Sequence, residues 1–212
     1  MGTPTATVFV DYSGTPHTFI KLDDGNGSVK FYGFAPQKPG SMMGAGTVGQ
    51  DVTTHFKGDP QNKYAGYMDD VVWSKTIPLT SSQLTAMQGK VSEWIANKPD
   101  YNVFGTNCTA FVKDVLTAGG SGYAGITAGP NPLNLIPNSE QGPLFTTDIN
   151  SGVKTLSDAV RNPSTTPGTP AYEYKQAHPE QFGPVTPTPS AKDPISYDLR
   201  AENCSYFDEV NC

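Results

Sequence analysis

Apolar and polar residues alternate in short stretches along the first eighty positions. Thr7–Asp11 (TVFVD) predicts a strand, and His17–Leu22 (HTFIKL) predicts another. The second runs into Asp23-Asp24-Gly25-Asn26-Gly27, a dense cluster of turn-forming residues, and Val29–Phe34 (VKFYGF) follows it. Those two stretches are predicted to form a β-hairpin. Ala35–Gly49, rich in Gly, Pro and Met, predicts a loop, and Asp70–Leu79 predicts an edge strand because Pro78 cannot donate to a ladder. The period then changes. Thr80-Ser81-Ser82-Gln83 reads as a capping box, with Leu84, Met87, Val91, Trp94 and Ile95 on one helical face and Pro99 beyond the end. Asn107 is a good N-cap for a second helix, which makes Cys108 its first residue. Phe111, Val112, Val115 and Leu116 form that helix's apolar stripe, and Gly119-Gly120 stops it.

Beyond residue 120 the periodicity fades. Apolar anchors are few (Ile126, Leu133, Leu135, Ile136), Ser151–Arg161 predicts a short helix, and Asn162–Asp193 predicts extended or mobile chain. Proline follows the same division. Seven prolines precede residue 121 and twelve come after it, in a chain of 212 residues with 22 glycines and 19 prolines. The chain therefore divides into a compact domain, 1–120, and a Pro/Gly-rich extension, 121–212, that packs on the domain or is tethered to it.

Charge narrows the function classes. Charged residues make up 16% of the chain and the formal net charge is −6, with no Lys/Arg cluster. Nucleic acid is not an expected partner, and a coiled coil is excluded. No apolar run is long enough for a transmembrane helix. The opening MGTPTATVFVDYSG has neither a basic region nor a long apolar one, so no Sec-type signal peptide is expected. The glycines of PGSMMGAGTVG lack nucleotide-loop spacing, and turn chemistry accounts for Asp23, Asp24 and Asn26, so neither cofactor nor metal is expected.

The chemistry is carried by cysteine and histidine. Cys108 stands at the first turn of a helix, where the dipole and unsatisfied N–H groups stabilise a thiolate; a buried, inert thiol is the alternative. Cys204 and Cys212 are close enough in sequence to form a disulfide in an oxidising compartment, or to remain reduced. Of the three histidines, His178 sits in a polar stretch and His55 in loop-like sequence. His17 opens a strand, a rigid mount for an imidazole.

The segments PHTFIKLDDGNG, KFYGFAP and YNVFGTNCTAFVKDVLTAGG together resemble the circularly permuted branch of the NlpC/P60 papain-like superfamily, to which the lecithin:retinol acyltransferase-like proteins belong. In that branch the histidine precedes the cysteine. The set is similar, more closely, to cysteine-hydrolase domains of bacterial toxins and type VI secretion effectors. The similarity covers roughly residues 5–120. It implies an α+β, papain-like core in which an antiparallel sheet packs on helices, with Cys108 as nucleophile and His17 as general base and then acid. The family's third polar residue orients the histidine from the following strand. Among Ser28, Lys30 and Tyr32 on that strand, Tyr32 is the candidate, while His55 or a loop aspartate are alternative sources.

The implied activity is cleavage of amide bonds in peptidoglycan stem peptides. A lipid acyltransferase or esterase, a glutamine deamidase, and a non-catalytic binding module remain alternatives. An effector of this kind is made in the bacterial cytoplasm and delivered without a Sec signal by a secretion carrier. It acts in the target-cell periplasm and has a cognate immunity protein.

Overall fold

The structure is a computed structural model that describes residues 2–13, 15–38, 41–49, 71–120, 132–136, 145–147, 154–156, 165–177 and 179. His55, His178, Cys204 and Cys212 lie outside the described residues. The described elements form a mixed α+β fold. Strands β1 (Thr5–Ser13), β2 (Thr15–Asp23), β3 (Val29–Pro36), β4 (Met43–Gly49), β5 (Val71–Pro78) and β6 (Asp100–Asn102) build one sheet in the order β5-β1-β2-β3-β4-β6. Every pairing in it is antiparallel. Helix α1 (Ser81–Asn97) joins β5 to β6, and α2 (Cys108–Ala118) follows β6.

Alternation along the strands sorts the side chains onto two faces. Val8, Val10, Ile20, Leu22, Tyr32 and Phe34 face the helices, where Leu84, Met87 and Val91 of α1 and Phe111, Val112, Val115 and Leu116 of α2 complete the main core. Phe9, Phe19, Phe31 and Val71 form a separate cluster on the other face. Phe34 joins sheet to helices. Its ring meets Trp94 edge-on at 4.9 Å and lies 5.7 Å from Tyr101 and 6.5 Å from Phe111.

Local sequence explains most boundaries. The Asp23–Gly27 turn forms as expected: the Asp24 carboxylate accepts from the N–H groups of Asn26 and Ser28, and Gly25 and Gly27 take positive φ. The capping box is present: the Gln83 N–H donates to Thr80 Oγ1 at 3.2 Å and the Thr80 N–H donates to Gln83 Oε1 at 2.9 Å. The edge position of β5 also agrees with its proline.

Three segments differ from the sequence expectation. Within Ala35–Gly49, read as loop, Met43–Gly49 is strand β4. It has little side-chain bulk of its own and is held by β3 and β6. A side chain at Gly46 would strike the Phe34 ring and the Pro99 carbonyl, so the glycine that argued against a strand is what lets this one pack. Within Ser151–Arg161, read as helix, Lys154–Leu156 is a strand (β8) paired with β7 (Phe145–Thr147), an arrangement supplied by a partner strand rather than by helical period. Within Asn162–Asp193, read as extended or mobile, Pro170–Ala177 is helix α3. Pro170 occupies the first helical position and the Tyr172 N–H donates to the Thr169 hydroxyl, a Thr-Pro start signal hidden in proline-rich composition.

The region after residue 120 contributes to the core. Leu133, Leu135 and Ile136, in and just after a 3₁₀ turn at Pro132–Leu135, are buried in the main cluster. No helix among the described residues is long and apolar enough to cross a membrane.

Candidate functional site

Cys108 begins α2, and the reason is local. Asn107 is extended (φ −130°, ψ −174°), and its side-chain oxygen accepts from the Ala110 N–H at 2.9 Å while its amide donates to the Val103 carbonyl at 2.7 Å. Its own carbonyl takes the Phe111 N–H. Asn107 is itself buried, so both bonds act as a pin between the tight turn at 102–106 and the helix.

The thiol is 4% exposed. Burial pushes its pKa up from 9.0 to about 11. The Thr18 backbone and the Thr109 side chain and N–H pull the other way, and the Asp11 carboxylate raises the value further. The helix N-terminus pointed to a stabilised thiolate, with a buried, inert thiol as the alternative. Desolvation outweighs the helix N-terminus here, and the resting sulfur carries its proton at neutral pH.

His17 lies on β2, directly across from Asp11 on β1. Such cross-strand neighbours hold their Cβ atoms about 5 Å apart. Asp11 is 1% exposed and His17 is half-buried. The imidazole stacks near Phe19, with ring centroids 6.4 Å apart and planes at 20°. It therefore belongs to the face that carries Phe9 and Phe31. Cys108 opens α2, whose apolar stripe from Phe111 onward packs on the opposite face. The Cys108 sulfur meets the backbone of Thr18, the residue after His17 on β2, and feels the Asp11 carboxylate. At this place β2 and β3 part: their pairing ends at Phe19 and Gly33, while β2 reaches back to Thr15 and β3 on to Pro36. The structure thus gathers Asp11, His17 and Cys108 at one end of the β1–β2 ladder.

Tyr32 is not part of that group. It pairs with Ile20 and is buried in the main core, on the face away from the His17 ring, and burial raises its hydroxyl pKa. Sequence reasoning looked for the orienting residue on the strand after His17. The carboxylate that the structure sets across from His17 is that of Asp11, on the strand before it. The signal was a lone aspartate at an inward position of an apolar strand.

Compared with protein-family models, with curated proteins and with solved structures, the chain matches none.

One consequence concerns pH. The folded chain keeps the Cys108 proton over a range where the unfolded chain releases it. The stability tied to this group is therefore complete below about pH 9 and is lost as pH rises through 11, with roughly 1 kcal/mol gone by pH 10. Urea titrations at pH 8 and pH 10 check this. The wild type should lose about 1 kcal/mol more than Cys108→Ala over that interval, and an equal loss contradicts it.

Proposed function

We propose that the protein is a cysteine hydrolase with a papain-like core that cleaves amide bonds in peptidoglycan stem peptides. The observation that carries this reading is the clustering of a cysteine at the first position of a helix, a strand histidine and a buried carboxylate. Asp11 is the cross-strand neighbour of His17, and its field reaches the Cys108 sulfur. An aspartate beside an imidazole favours the imidazolium, the charge state that forms when a thiol gives up its proton. In this reading Asp11 takes the orienting role that the resemblance assigned to the next strand.

The chemistry is general base and nucleophilic catalysis. His17 removes the thiol proton as the Cys108 sulfur bonds to the substrate carbonyl carbon. The oxyanion is held by the helix N-terminus. In that first turn the N–H groups of Ala110 and Phe111 bond to Asn107 and that of Thr109 acts on the sulfur, so the Cys108 N–H is the donor proposed for the oxyanion. The carbon–nitrogen bond breaks as His17 protonates the leaving amine. Water, deprotonated by His17, then releases the carboxylate and restores the thiol.

The effector setting belongs to the same proposal: delivery by a secretion carrier, action in the target-cell periplasm and restraint by an immunity protein. Its support is the sequence resemblance. The test is incubation of purified protein with peptidoglycan and, separately, with phospholipid vesicles, followed by mass spectrometry. New amine and carboxyl termini in stem peptides are expected. Release of fatty acid alone would move the activity to the esterase class.

The buried, protonated thiol favours a second reading, a binding module whose papain-like core is inactive and whose Cys108 is a packing residue. Intact substrates in both incubations support that reading.

A further inference from the structure

Gly33 lies inside β3, at the point where β3 pairs with Phe19 of β2. Glycine in a strand interior costs stability, about 0.5–1 kcal/mol relative to alanine, and needs a reason. Backbone conformation is not that reason, because Gly33 is not among the glycines with positive φ. The reason is space. A Cβ at position 33 would stand 3.2 Å from His17 Nε2, 3.9 Å from His17 Cε1 and 3.5 Å from Phe19 Cβ. Only the contact with Nε2 is tighter than ordinary packing. Phe19 stacks near the imidazole, and Gly33 leaves the notch that its Nε2 edge occupies.

We propose that Gly33 is a positioning residue for His17: the side chain it lacks is the space that fixes where the imidazole nitrogen stands. Its catalytic consequence rests on His17 being the base of the proposed hydrolase, whereas the positional claim rests on the geometry alone. An alanine at 33 forces Nε2 to move by a few tenths of an ångström or the strand to give way. A displacement of that kind at a proton-transfer group lowers turnover without changing how the substrate is held.

The experiment pairs Gly33→Ala with His17→Ala. Imidazole nitrogen resonances of His17 are followed by NMR across pH in the wild type and in Gly33→Ala, with Gly89→Ala as control, since nothing lies within 4 Å of a Cβ at position 89. Gly33→Ala should shift the His17 resonances and their titration midpoint, and Gly89→Ala should not. Thermal midpoints are measured for both single variants and the double variant. Gly33→Ala should lower the midpoint in the wild-type background and raise it when His17 is already alanine, because the atom the new methyl meets is then gone and only the gain over a strand glycine remains. On an active substrate, kcat should fall about tenfold with KM within about twofold. Unmoved His17 resonances, or an equal loss of midpoint in both backgrounds, overturns the proposal. A coupled pair in a protein that cleaves nothing would leave the positioning in place and sink the hydrolase reading instead.

Discussion

Replacing Cys108 by alanine is expected to reduce amide hydrolysis at least about 10³-fold while leaving the chain folded. In the proposed mechanism the sulfur is the atom that bonds to carbon, and no other cysteine is found among the described residues. His17→Ala is expected to fall by a similar factor, because a thiol whose pKa is pushed up to about 11 releases its proton at neutral pH only to a base. Residues that act as one unit are not additive, so the double variant should be no slower than either single one. Tyr32→Phe is the contrast. Its hydroxyl belongs to the helix side of the sheet, so its loss should leave kcat within about threefold of wild type. Steady-state rates on peptidoglycan fragments for the four variants check the set. A Cys108→Ala variant that retains wild-type rate removes the nucleophile from the scheme.

The largest loss of stability is expected from Phe34→Ala. Phe34 is fully buried, and its ring is shared by β3, α1, β6 and α2 through contacts with Trp94, Tyr101 and Phe111. Trp94 and Phe111 are themselves edge-to-face at 5.3 Å, so removing the ring opens a space bordered by two more aromatics. Truncation of a buried phenylalanine costs about 3–5 kcal/mol. Here β4 adds to it, because Gly46 packs against the lost ring. Urea denaturation should show that loss. A change below about 1 kcal/mol would mean that Phe34 does not join the sheet to the helices. The consequence for function is positional, since α2 carries Cys108 and is seated partly on this ring.

The hairpin at Asp23–Gly27, the capping box at Thr80 and the helix start at Asn107 were legible because each is a local device with its own hydrogen bonds. The strand β4 was not, because Gly44 and Gly46 argue against a strand until Phe34 and Pro99 are known to press on one of them. Helix α3 carried a readable Thr169-Pro170 start, which proline-rich surroundings obscured. At the candidate site, Cys108 and His17 stood out by residue type. Asp11 did not, because its importance comes from register with His17 across a hairpin rather than from spacing in the chain. Sequence left both a stabilised thiolate and a buried, inert thiol open at Cys108, because the burial that raises its pKa comes from tertiary packing.

The central claim is that the imidazole of His17 serves the thiol of Cys108, and the rate of Cys108 alkylation by iodoacetamide at pH 7 tests it without knowledge of the substrate. Peptide mapping by mass spectrometry reads the modification at Cys108 in the wild type and in His17→Ala. Wild-type Cys108 should react at least about tenfold faster, since only there is a base at hand to take the proton. Equal rates in the two proteins would contradict the claim.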